Sequence, residues 1–177
     1  FAYSKIKAKY IANFDADFMP HKNFLIETLP FFNEKDVAFV QTPQYCYNQV
    51  NLISKGYSDA VSLFYDYIMP AKNAFNAAYW VGTNSIFRKS AIKKIGGFPY
   101  HSCDDVNTAY TLHQNGWKSV FLPKILAQGL APETLEAFYS QQTRWAQSSL
   151  DMFFRNNVIG KKLNIDQKFQ YFHNFTF

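Results

Sequence analysis

Tyr10-Ile11-Ala12-Asn13-Phe14-Asp15-Ala16-Asp17-Phe18-Met19-Pro20 is the stretch on which the fold turns. It begins as a short, mostly apolar run and stops abruptly at two acids separated by one alanine. A run of that length reads as a buried strand with carboxylates at its C-terminal end. Working outward, Phe24, Leu25, Leu29 and Phe32 recur at helical spacing within residues 22–32, and residues 37–41 are β-rich again. The order is therefore strand, helix, strand.

The same alternation continues downstream. Residues 54–68 read as a helix with Ser54 or Ser58 as its cap, and Tyr79, Trp80 and Val81 open an extended stretch that passes Gly82 and Thr83 and continues through residues 84–87. Residues 90–95 form a short helix stopped by Gly96 and Gly97, with a loop over 99–103. Residues 104–115 read as a helix closed by Gly116, 117–122 as extended, and 132–156 as a long helix opened by Pro132, with Glu133 and Glu136 in its first turns. Strands alternating with helices predict an α/β layered sheet, whose ligands sit beyond the carboxyl ends of the strands.

Composition excludes several classes. The chain has 177 residues, 48% hydrophobic, 18% charged and 19% aromatic, enough for a sizeable core and too apolar for a disordered or collagenous chain. Cys46 and Cys103 stand far apart without CxxC spacing, which predicts free thiols in a reducing compartment rather than a zinc site or a disulfide scaffold. The net charge of +5 suits an anionic partner, whether nucleic acid, nucleotide phosphate or lipid headgroup. No apolar run reaches the roughly 18 residues that a spanning helix needs. Residues 1–9 lack the apolar core of a signal peptide, so the chain reads as a segment cut from a longer one. Near the other end, Ile165, Phe169, Phe172 and Phe175 oppose Lys168, Gln170 and His173, an amphipathic pattern suited to a membrane surface or to packing on the rest of a larger protein. Asn174, Phe175 and Thr176 also match a glycosylation sequon, a short and common pattern.

Three patterns carry chemistry, each with a bland alternative. Asp15 and Asp17 can converge on a hard cation such as Mg²⁺ or Mn²⁺, or simply occupy a turn. Asp104 and Asp105 precede a helix, where one can complement the dipole while the other, beside a sugar hydroxyl, acts as a general base. Gln141, Arg144 and Trp145 share one helix face that can hold phosphate oxygens and stack a sugar ring, or belong to a half-buried helix with a snorkelling Arg and a core Trp.

Taken in order, DxD, the paired acids and QxxRW resemble the processive family 2 glycosyltransferases, the cellulose, chitin and hyaluronan synthase group. The surrounding wording resembles them too: residues 10–20 (YIANFDADFMP), 80–88 (WVGTNSIFR), 96–98 (GGF), 115–122 (NGWKSVFL), 129–133 (GLAPE) and 141–145 (QQTRW), closest in tone to cellulose synthase-like proteins. The resemblance implies part of a GT-A type, Rossmann-like nucleotide-sugar transferase fold, a mixed sheet flanked by helices, without the uridine-binding strands that precede it in the family. Residues 1–157 are then the C-terminal part of the catalytic domain, and 158–177 a membrane-interface segment leading to transmembrane helices.

The resemblance also implies roles. Asp15 and Asp17 hold the metal and donor diphosphate, with Gln141 and Arg144 beside the pyrophosphate. Asp105 matches the terminal acid of the family's Thr-Glu-Asp motif and is the base; here that motif reads Cys103, Asp104, Asp105. Trp145, Trp80, Val81, Gly82 and Asp104 line the acceptor, although the family often has Cys where Val81 stands. The implied function is inverting transfer from a UDP-sugar, UDP-glucose first, to a growing β-linked polysaccharide, with Mg²⁺ or Mn²⁺. The full-length protein is expected in the plasma or inner membrane with this segment facing the cytoplasm, and the isolated segment is expected to be inactive. A UDP-N-acetylglucosamine-using synthase, a silent saccharide-binding relative and a nucleic-acid-binding module are the alternatives, the last disfavoured because the aromatics lie in core-like periodic runs.

Overall fold

The computed structural model describes residues 5, 7–99, 103–155 and 162–173. Its main sheet has four strands in the order β1 (Tyr10–Asn13), β5 (Ser85–Arg88), β3 (Val37–Gln41) and β6 (Lys118–Phe121). β5 runs antiparallel to both neighbours, while β3 and β6 are parallel, so the sheet is mixed. Every residue of β3 is buried, because both faces of the sheet are covered. Phe39 and Phe87 point to one face and pack with Ala91, Ile92, Ala109 and Leu112. Val40 and Ile86, one residue out of phase, join Phe24, Phe32 and Leu126 on the other.

β1 departs from the buried strand expected. Ala12 is exposed and its neighbours are half-buried, since among the described residues β1 pairs only with β5 and forms an edge of the sheet. A second, three-stranded sheet, β2 (Met19–Pro20), β7 (Ala127–Gly129) and β4 (Tyr45–Cys46), has segments too short to give a periodic signal.

The helices agree in place and differ at their ends. Residues 22–32 become α1 (Phe24–Thr28) and then a 3₁₀ turn, Leu29–Asn33, at the start of which Pro30 has no N–H to continue the α-helical ladder. The cap of α2 (Leu52–Leu63) is Asn51, not Ser54 or Ser58: Asn51 accepts the Ser54 N–H and Ser54 answers as the N3 half of a capping box. A π-helical turn, Phe64–Ile68, then leads to α3 (Met69–Ala74), where Pro70 removes a helical donor. α4 (Lys89–Lys94) and α5 (Asp104–Gln114) match expectation, and Gly96 and Gly116 take positive φ just beyond them. α6 (Leu135–Arg155) begins after Pro132, with the Thr134 hydroxyl accepting the Ala137 N–H.

α7 (Ile165–His173) presents Gln167 and Tyr171 to the body and leaves Ile165, Phe169 and Phe172 exposed. Phe175 and the sequon Asn174–Thr176 lie outside the described residues, as does most of the loop before Cys103. Both cysteines are buried thiols, neither held in a disulfide.

Candidate active site

The centre of the site is the turn Trp80–Val81–Gly82–Thr83–Asn84, which the buried Gln41 at the end of β3 holds in shape. Gln41 accepts the Val81 N–H at 3.1 Å and donates to the carbonyl of Thr83 at 2.8 Å. Gln44 donates to the Val81 carbonyl, and Asn84, at φ +52°, donates to Pro43. Sequence reasoning passed over Gln41 and Asn84; the available signal was a polar residue closing an otherwise wholly apolar strand.

The acids attach to this turn from two sides. From β1, Asn13 donates to the Gly82 carbonyl and the Asp15 N–H donates to Thr83 Oγ1 at 2.8 Å. From α5, Asp105 approaches Gly82: a Cβ built on that glycine would lie 3.6 Å from Asp105 Oδ2, and the φ of +89° is one that glycine adopts freely. Asp105 Oδ1 meanwhile accepts the Val106 N–H at 2.7 Å, an orphan donor of the helix's first turn, and the Cys103 thiol at 3.6 Å. One oxygen caps the helix and the other faces the turn.

Charge links the distant motifs. Asp15, although much of its surface is exposed, is raised above its ordinary value, first by partial desolvation, then by Asp17, with Arg144 opposing the rise and Asp104 adding to it. The DxD, the acid pair and the QxxRW helix therefore share one electrostatic neighbourhood. Burial also raises Asp105, which makes it a stronger base, and raises the Cys103 thiol to about 12. Burial and the nearby Asp17 push Cys46 up to about 11, so neither thiol is a nucleophile near neutrality.

On α6, Gln141 is half-buried and its Oε1 is buried without a hydrogen-bond partner, Arg144 is exposed, and Trp145 is 41% exposed. Trp80 differs from expectation. At 6% exposure it packs edge-on against Phe87 and beside Phe98 in the core, so its ring is closed to a sugar, and only the backbone that follows it borders the site. The Asp15–Phe18 turn is seated by Phe18 on Gly129, and the 129–133 segment is stitched down by Asn48, which donates to Ala131 O and Glu133 Oε1.

The sequence profile described as glycosyl transferase family group 2 matches residues 10–177. The chain belongs to that family. Within it the chain is cellulose synthase-like: it is 35% identical over 154 residues to a cellulose synthase catalytic subunit of Dictyostelium discoideum, covering 85% of this chain and 14% of that protein. It is 33% identical over 180 residues to cellulose synthase 1 of Komagataeibacter xylinus, covering 97% of the chain and 12% of the relative. The chain thus spans a small part of these relatives.

Among solved structures, this family 2 chain superposes on the mannosyltransferase PcManGT of Pyrobaculum calidifontis, in complex with GDP-Man and Mn²⁺, with a TM-score of 0.72 at 18% identity, over 98% of this chain and 46% of the other. Staphylococcus aureus TarS in complex with UDP-GlcNAc gives 0.55 at 13%, over 99% and 50%. These likenesses show the fold: part of a GT-A glycosyltransferase domain, with a mixed sheet between helices. Among the described residues no three His, Cys, Asp or Glu side chains gather to hold a metal alone. Asp15 and Asp17 fit as the protein half of a shared site, since Mg²⁺ commonly takes one or two carboxylates and completes its shell with water and phosphate. No described helix is long and apolar enough to cross a membrane.

Proposed function

We propose that this chain is the acceptor-side portion of the catalytic domain of an inverting glycosyltransferase that moves a sugar from a UDP-sugar, UDP-glucose first, onto the end of a β-linked polysaccharide. The observation that carries the reading is the placement of Asp105 Oδ2 against the Gly82 turn, which Asp15 joins through Thr83. The acceptor hydroxyl lies between Asp105 and the donor. Asp105 takes its proton, and the freed oxygen attacks the anomeric carbon from the face opposite the leaving diphosphate, inverting it. Arg144 binds diphosphate oxygens and stabilises the charge that grows there. Gln141 stands beside Arg144 at the pyrophosphate, and the exposed indole of Trp145 stacks the terminal sugar. Asp15 and Asp17 hold Mg²⁺ or Mn²⁺, which supplies Lewis acidity toward the diphosphate.

Glucose rests on the likeness to the cellulose synthases; the fold itself accompanies GDP-Man in one neighbour and UDP-GlcNAc in another, so it does not choose the donor. The exposed face of Ile165, Phe169 and Phe172 supports a seat for α7 at a membrane surface in the full-length protein, with the site on the cytoplasmic side. The test is to express the full-length protein in membranes, supply single radiolabelled UDP-sugars with Mg²⁺ or Mn²⁺, and digest the product with linkage-specific hydrolases. Label from UDP-glucose released by a β-glucanase is expected. Label from UDP-N-acetylglucosamine alone would move the assignment to a chitin- or hyaluronan-type synthase. The isolated 177-residue segment is expected to turn over little donor.

A further inference from the structure

None of the residues assigned to chemistry lies on α7, yet this helix grips both elements that meet at the site. Tyr171 is fully buried in a cluster with Cys103, Tyr110 and Leu163, with Val106 at the margin, and its ring stands edge-on to Tyr110 at 5.2 Å. Its Oη lies 2.7 Å from His113 Nδ1, His113 Nε2 lies 2.9 Å from Ser119 Oγ, and Ser119 Oγ donates to the Ala78 carbonyl at 2.7 Å. Ser119 has one hydroxyl proton and Ala78 receives it, so Ser119 accepts from His113 Nε2–H. Nδ1 is then the acceptor, and the Tyr171 hydroxyl donates to it. The relay is complete, and it requires a neutral His113. Tyr171 thus holds α5 at its middle through Tyr110 and near its C-terminus through His113, and it shares a cluster with Cys103 and Val106, which lie on either side of Asp105.

A second set of contacts reaches the other wall. Lys72 on α3, itself buried, donates to the Gln170 carbonyl at 2.8 Å, and Gln167 donates to the Asn76 carbonyl at 2.8 Å. Lys72, Asn76 and Ala78 lie on the segment that runs directly into Trp80–Gly82.

We propose that α7 is a bracket that fixes the separation of Asp105 from Gly82, with Tyr171 and Lys72 as positioning residues for deprotonation of the acceptor. This rests on the reading of Asp105 as the base. Because a displacement of about 1 Å can cost on the order of a hundredfold in rate, a helix that ties both walls has leverage on turnover without touching the sugar.

Tyr171→Phe keeps the ring and deletes only the donor; Lys72→Met keeps the stem and deletes the donor to Gln170. In the full-length enzyme each is expected to lower kcat about tenfold while the KM for UDP-glucose stays within about twofold, the signature of a group acting on the chemical step. Labelling of Cys103 by a small thiol reagent, read by mass spectrometry, is expected to rise about tenfold as loss of a buried hydrogen bond loosens the helix. Cys46, packed with Tyr57 and Ala131 instead, is the internal control and should label as before. Unchanged kcat with Cys103 newly exposed would reduce α7 to packing alone and overturn the proposal. So would a lower kcat with Cys103 still protected, or failure of both variants to accumulate. Normal turnover by Asp105→Asn would instead remove the base assignment, while Cys103 labelling would still report on the bracket.

Discussion

The ring of Phe18 lies so close over Gly129 that a Cβ on that glycine would fall 2.5 Å from Phe18 Cε2. The glycine of one motif is thereby the seat of the aromatic that follows the DxD in another. Gly129→Ala should displace Phe18, with a stability cost of about 1–3 kcal/mol, and drag the Asp15–Asp17 turn with it. A several-fold rise in the Mn²⁺ concentration for half-maximal activity is expected, and Phe18→Leu in the same chain should recover part of it. An unchanged metal requirement in Gly129→Ala would separate the two motifs.

Arg144 is the cation that opposes the rise of Asp15. Arg144→Lys keeps charge but loses the planar fork that grips two phosphate oxygens. The KM for the UDP-sugar should rise by about tenfold or more, a loss of about 1.4 kcal/mol, as one bidentate contact suggests. Steady-state kinetics on membranes, with the wild-type KM retained in Arg144→Lys, would remove Arg144 from the donor site.

Burial holds His113 near pKa 3, well below the ordinary imidazole value of about 6.5. Between those values the unfolded chain binds the extra proton, so stability rises with pH and is lost as pH falls from about 6.5 toward 3. Among the described residues, Tyr171, Ser119 and Phe39 face His113, and none of these three is a carboxylate that could stabilise the imidazolium. Thermal unfolding of the detergent-solubilised enzyme should show a lower midpoint at about pH 5 than at about pH 7, and His113→Gln should flatten that dependence. An equal slope in both proteins would assign acid sensitivity elsewhere.

Much of this was legible in the sequence because local pattern and global fold agree along most of the chain. Residues 37–41 read as a strand because they are β-rich, and residues 104–115 as a helix because Gly116 closes it; the structure has the strand at Val37–Gln41 and the helix at Asp104–Gln114. The three-stranded sheet was not legible, since two- and three-residue strands carry no period. The resemblance set Trp80 at the acceptor, whereas its ring completes the Phe87–Phe98 cluster, a burial that a matched motif does not reveal. Gln41, Asn48 and Tyr171 act through contacts far apart in sequence, which spacing does not reveal.

Asp105 ties stability to turnover. Burial raises its pKa, so the folded state favours the protonated acid: that contribution to stability is present at low pH and lost as pH rises through the raised value. Transfer needs the carboxylate, so the rate should climb with pH across the same window. Asp105→Asn should therefore gain stability near neutrality while losing function. The deciding measurement is polymer synthesis from radiolabelled UDP-glucose by Asp105→Asn in the full-length enzyme, alongside binding of UDP. Incorporation at background is expected, with UDP affinity within about twofold of wild type, because the base acts on the acceptor and not on the nucleotide. Near-normal incorporation by Asp105→Asn would contradict the reading of Asp105 as the base.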